Sequence, residues 1–111
     1  MSDEIKKYLL DILISINSID DYLGQPKSFT LYQSNKLIRR AVEREIEIIG
    51  EAMNRILKAS PEIPISYSRV IVDLRNKVIH AYDNLNQPMI WKIIIKDLPV
   101  LKQEVSQLLE S

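Results

Sequence analysis

Apolar side chains return every three or four positions along almost the whole of this 111-residue chain, and that rhythm is the signature of helix. Ile5, Leu9, Ile12, Ile16, Ile19 and Leu23 fall on one stripe at helical spacing, whereas a half-buried strand would alternate apolar and polar residues. Only 2 glycines occur in the chain, too few for a series of tight-turned hairpins. A first helix is expected from about Asp3 to Leu23, closed by Gly24-Gln25-Pro26-Lys27, with glycine just past the stop and proline beyond it.

A long second helix is expected from about Leu31 to Ala59, opened by Thr30 and Gln33 at capping-box spacing. Val42, Ile46, Ile49, Met53 and Ile56 form its core stripe, and Leu37, Ala41, Ile48 and Ala52 widen it enough to touch two neighbours. Gly50 sits in mid-helix, where glycine costs about 1 kcal/mol relative to alanine; the close approach of another helix accounts for it best. Arg39, Glu43, Glu47 and Glu51 recur at intervals of four and read as a solvated ladder, with metal binding the lesser reading. Ser60-Pro61-Glu62-Ile63-Pro64 then breaks the helix, since prolines withhold the amide that helix needs.

The third helix is expected to start at a Ser66 cap stapled by Ile65 and Val70. Val70, Ile71, Leu74, Val78 and Ala81 face its core, and it ends around Tyr82 to Asn84. Asn86 reads as the next cap, with Leu85 and Ile90 as staple and Pro88 in the first turn. A short fourth helix carries Ile90, Ile93 and Ile94; Asp97-Leu98-Pro99 caps or kinks the chain into a last helix bearing Leu101, Val105, Leu108 and Leu109. The expected fold is an all-α single domain spanning residues 1–111. Short connections make it an antiparallel up-and-down four-helix bundle with a short extra C-terminal helix.

Fifteen basic and fifteen acidic residues give a formal net charge of +0, so bulk charge argues for no polyanion and DNA is not an expected partner. The absence of cysteine removes disulfides, thiolate metal sites and a cysteine nucleophile, and suits a reducing cytoplasm. Met1-Ser2-Asp3-Glu4 is acidic where a signal peptide would be basic. No apolar run approaches the roughly 20 residues of a membrane span, so a cytoplasmic location without membrane contact is expected.

One stretch concentrates reactive side chains: Asp73 to Asp83, around the only histidine. At about 100° per residue, Arg75 and Tyr82 share one stripe of the third helix, and Asn76 and His80 share another. These groups fit phosphodiester chemistry. Histidine moves protons near neutral pH, arginine stabilises charge gathering on phosphorus, and Asn76 orients the imidazole or holds a phosphate oxygen. RNA cut at its own 2′-hydroxyl needs an acid and a base but neither metal nor cofactor. One chain holds one imidazole, turned some 140° from Arg75 by the same arithmetic; a two-fold homodimer would supply the second and bring both pairs to one cleft. The same residues also fit a plainer reading, in which His80 steadies a helix end and Arg75 pairs with Asp73 or Asp83 at the surface. Trp91, beside Met89 and Ile90, fits a core or an interface better than a base-stacking platform.

Arg75-Asn76-Lys77-Val78-Ile79-His80-Ala81-Tyr82 resembles the HEPN signature in its tighter HepT-type form: Arg, four residues, His, one residue, Tyr. Leu10-Asp11-Ile12-Leu13 resembles the opening helix of that family, Glu47-Ile48-Ile49-Gly50-Glu51-Ala52 its Ile-Gly-Glu-Ala box, and Trp91 with Asp97-Leu98-Pro99-Val100-Leu101 its closing segment. Where relatives often carry tryptophan after the Pro-x-Ile-Pro stretch, this chain has Ile65. The resemblance implies the toxin of a type VII-like toxin–antitoxin pair: a metal-independent, homodimeric ribonuclease. It implies Arg75 and His80 as catalytic residues, Asn76 as a supporting polar group, and Tyr82 as the tyrosine to which a minimal nucleotidyltransferase antitoxin transfers AMP. Some HEPN domains keep the fold as binding modules, so a non-catalytic binding subunit of a nucleotidyltransferase is the alternative.

Overall fold

A computed structural model of the chain describes residues 1–80 and 86–111. Helix α1 covers Asp3–Leu23, α2 Phe29–Ser34, α3 Lys36–Ala59, α4 Ser68–His80, α5 Gln87–Lys92 and α6 Leu98–Glu110. A π-helical turn, Ile93–Asp97, joins α5 to α6. The all-α expectation holds, and α1, α3, α4 and α6 form the body of the bundle, α3 packing against α1 and α4, and α6 against α1. The Tyr22 hydroxyl, near the end of α1, donates to Glu45 in the first half of α3 at 2.9 Å, while Tyr8 and Arg55 border one cleft at the opposite ends of these helices. The two helices therefore run antiparallel.

Helix α1 begins where Ser2 accepts the Ile5 amide at 3.2 Å and ends at Gly24, whose φ of 72° suits a residue without a β-carbon. Every residue of its predicted stripe is buried, as are Val42, Ile46, Ile49, Met53 and Ile56 of α3. The long second helix, however, is two. Asn35 takes an extended backbone and its side chain accepts the Ile38 amide at 3.1 Å, capping α3 while closing α2. Helix α2 is capped by Ser28 and not by Thr30: the Ser28 hydroxyl accepts the Leu31 amide at 3.2 Å. Its role is to bury Tyr32 beside Phe29 and Trp91, with the Tyr32 and Phe29 ring centroids 5.7 and 5.5 Å from that of Trp91. Burial holds the Tyr32 phenol well above its ordinary range. Trp91 is thus half-buried against the core and ties α2 to α5.

Leu37 is 80% exposed instead of widening the core. At about 100° per residue it lies on the stripe of Arg44 and Arg55, across α3 from Val42 and Met53. The Ser66 cap also fails. Its amide and hydroxyl donate to Glu104 of α6 at 3.1 and 2.7 Å, which fastens the loop to α6 and delays α4 to Ser68. Val70 consequently lies exposed and makes no staple with the buried Ile65. The expected end of this helix near Tyr82 to Asn84, with Ala81 and Leu85, lies outside the described residues.

Asn86 caps α5 as expected, accepting the Met89 amide at 3.1 Å, with Pro88 in the first turn. Asp97 makes no side-chain cap, and a wider turn accommodates Pro99. Proline has no amide and its ring crowds the carbonyl four residues back; the wider turn, in which the Leu98 amide reaches the Ile93 carbonyl, absorbs it. Gln87 to Glu110 is therefore helical throughout, and Ile90, Ile94, Leu98, Leu101 and Val105 bury one continuous face.

The Gly50 expectation is met. A β-carbon added there would fall on the β-carbon of Arg75 and lie 3.3 Å from the Ile71 carbonyl oxygen. On an isolated helix Gly50→Ala would gain about 1 kcal/mol. Here the obstacle is the root of a side chain in α4 and cannot swing aside, so an overpacking cost of about 1–3 kcal/mol outweighs that gain and a net loss of up to about 2 kcal/mol is expected. Urea unfolding of the two proteins checks the sign.

Candidate functional site

A cleft of about 380 Å³ opens where α3 is flanked by α1 and α4. Arg44, Ile48, Glu51 and Arg55, recurring at spacings of four, three and four, put one stripe of α3 on its floor. Tyr8 and Asp11 border it from α1, and Arg75 and Ile79 from α4.

Arg75 enters this cleft because α4 crosses α3 at Gly50. Its side chain is 27% exposed, and one Nη donates to Glu51 at 3.0 Å while the other donates to Asn76 at 3.0 Å. The Nε–H is buried without a partner. Glu51 also accepts from Arg55 at 2.9 Å through its other oxygen, so one carboxylate bridges two guanidiniums from different helices. That hydrogen bond is the largest of several effects, Tyr8 among them, that hold Arg55 above its ordinary pKa. Arg44 pairs more loosely with Glu47 at 3.5 Å.

This arrangement corrects the ladder. Intervals of four drift by about 40° per step on an α-helix, so Glu51 has turned some 120° from Arg39 and into the cleft. Arg39 instead donates to the Gln33 carbonyl at 2.7 Å. The partner of Arg75 is Glu51 and not Asp73; Asp83 lies outside the described residues. Although Asp11, Glu47 and Glu51 all border the cleft, no three carboxylate or imidazole groups converge as a ligand set among the described residues.

Of the candidate catalytic groups, Arg75 and Asn76 are joined directly. His80 is exposed in the last described turn of α4 and does not border the cleft, in keeping with the angle between positions 75 and 80. Tyr82 lies outside the described residues. Glu51 was legible only as part of a ladder and of the Ile-Gly-Glu-Ala box. The available signal was adjacency: a glycine marking a helix crossing, followed at once by a carboxylate.

The cleft presents the positively charged fork of Arg75, and the exposed imidazole of His80 lies on another stripe of the same helix. Among the described residues no helix is long and apolar enough to cross a membrane.

The family described as "Ribonuclease HepT-like" matches residues 12–108. A Methanocaldococcus jannaschii protein named as a candidate RNase is 36% identical over 106 residues, covering 92% of this chain and 94% of its own. A Thermococcus cleftensis protein named "Probable ribonuclease HepT" is 35% identical over 107 residues, covering 93% and 94%. No solved structure matches. The matched span takes in the Gly50–Glu51 crossing and both Arg75 and His80, and the chain belongs to the HepT-like ribonuclease family.

Proposed function

We propose that the protein is a toxin endoribonuclease that cuts RNA at its own 2′-hydroxyl without a metal, using Arg75 and His80 from both copies of a homodimer. The observation that carries this reading is the held guanidinium of Arg75 on a cleft wall, five residues before an exposed histidine in a HepT-like chain. One imidazole takes the proton of the 2′-hydroxyl as its oxygen attacks phosphorus. The partner's imidazole gives a proton to the departing 5′-oxygen, leaving a 2′,3′-cyclic phosphate. Arg75 faces the extra negative charge on phosphorus as bonds form and break.

His80→Ala and Arg75→Ala should each cut RNA cleavage by at least ~10²-fold, the scale of an acid–base group or a transition-state donor, with helical content unchanged. Cleavage should persist in EDTA. An RNA-cleavage assay with purified protein checks both points. Parent protein that binds RNA or a nucleotidyltransferase without cutting would instead make this a binding subunit.

Because each chain holds one histidine, the mechanism requires a two-fold dimer with the motif helices facing one cleft. Sedimentation equilibrium at micromolar concentration should find the dimer, and parent chains mixed with an excess of His80→Ala chains should lose cleavage, because a mixed dimer carries only one imidazole. A monomer that cleaves at the full rate would contradict this.

Neutralisation is proposed to occur by AMP transfer from ATP onto Tyr82 by a minimal nucleotidyltransferase antitoxin. The added phosphate brings bulk and negative charge, which would compete with the RNA backbone for the site. An ordinary phenol titrates near 10 and is a weak nucleophile at neutral pH, so the antitoxin must activate it. Tyr82→Phe should keep cleavage yet gain no AMP mass and escape neutralisation; equal modification of Tyr82→Phe would place the acceptor elsewhere.

A further inference from the structure

We infer that Glu51 is a positioning residue, whose carboxylate bridges Arg55 and Arg75 and fixes the Arg75 guanidinium for the phosphate of a bound RNA. The inference rests on the ribonuclease reading above and assigns a task to a residue outside the Arg–His motif.

Both ends of the Arg75 side chain are held by consecutive residues of α3. The root lies against Gly50, where no β-carbon fits, and the tip is bonded to Glu51 at 3.0 Å. A guanidinium has five N–H donors in a rigid fork. One Nη serves Glu51, the other serves Asn76, and Nε–H is buried. Each Nη keeps one further hydrogen, a pair able to meet two phosphate oxygens end-on. Without Glu51 the same side chain would rotate freely about its last bonds, and the fork would meet phosphate only in part of its orientations.

The charge arithmetic matters equally. Arg55 and Arg75 share one carboxylate, so two positive charges and one negative leave the trio at +1. A private Glu51–Arg75 pair would set both carboxylate oxygens against Arg75, whereas the shared carboxylate gives it one. The bridge therefore orients Arg75 without giving it a counter-ion of its own.

The test is a double-mutant cycle with RNA cleavage as readout. Glu51→Gln keeps the shape of the side chain and one acceptor oxygen. It should lower kcat by about ten- to a hundred-fold at nearly unchanged KM, as expected when an interaction specific to the transition state is weakened. Added to Arg75→Ala it should cost less than about two-fold more, because it acts through a guanidinium already gone. Glu51→Asp, which keeps the charge but withdraws it by one methylene, should lose less than Glu51→Gln and serves if that variant unfolds. Side-chain nitrogen NMR supplies a readout independent of activity: rotation of the Arg75 Nη groups should be hindered in the parent and freed in Glu51→Gln. Multiplicative losses in the double variant, parental or higher cleavage by Glu51→Gln, or equally hindered rotation would each overturn the inference. Higher cleavage would mean that Glu51 competes with phosphate for Arg75. If Arg75→Ala itself cleaves at the parental rate, the proposed function falls, and the NMR comparison still decides whether Glu51 holds Arg75.

Discussion

The crossing of α3 and α4 at Gly50 is the contact on which the site depends. The two helices meet so closely that the β-carbon of Arg75 occupies the space a side chain at position 50 would need. This sets the root of an arginine against the interior of the bundle and buries its Nε. A guanidinium drawn out of water needs charged or hydrogen-bonding partners, and the nearest position on the facing helix after the glycine is Glu51. Steric necessity at one residue and electrostatic necessity at the next therefore form a single device. The rest of α4 follows from that fixed point: Ile71, Leu74 and Val78 bury one face, and His80 emerges five residues beyond Arg75 on another.

Features with a period or a strong local preference were legible along the chain. The stripes of α1 and α3 stand out because each apolar position repeats at helical spacing, and Asn86 because an asparagine just before a proline-tolerant first turn has few other uses. Competitions between neighbours of similar chemistry were not. Ser28 and Thr30 both suit a cap, and only tertiary packing of Tyr32 selects the first. Ser66 suits a cap equally well, yet Glu104, 38 residues away, takes its donors. Asn35 interrupts an apolar rhythm that continues across it, so periodicity alone runs the two helices together. Asp97 before Leu98-Pro99 reads as a cap or a kink because one wider helical turn leaves no mark on spacing.

The candidate site shows the same division. Arg75, Asn76 and His80 stand out as residue types at suggestive spacing, and the turn of about 100° per residue is enough to set Arg75 and His80 on different stripes of one helix. Glu51 is visible along the chain only as a charge among charges. Its turn toward α4 comes from the mismatch between intervals of four and a period of 3.6, which carries the last two members of the ladder round to the cleft. The site thus combines a motif readable along one helix with a partner that becomes apparent only when the second helix is laid against it.

The choice of partners around Arg75 has a further consequence for a protein with no net charge to spare. Asn76 meets one Nη with a neutral acceptor, so it fixes direction without subtracting charge. Glu51 subtracts one charge but divides it between two arginines. An aspartate in place of Asn76 would bring the local sum to zero and bind the guanidinium more tightly, since hydrogen bonds between ions are roughly twice as strong as neutral ones. On the proposed mechanism, the tighter grip would weaken the attraction for phosphate and hold the fork against any small adjustment toward the transition state. Weak neutral support on one side and a shared carboxylate on the other keep Arg75 both oriented and unsatisfied, the condition in which a preorganised donor can act on charge that develops during reaction.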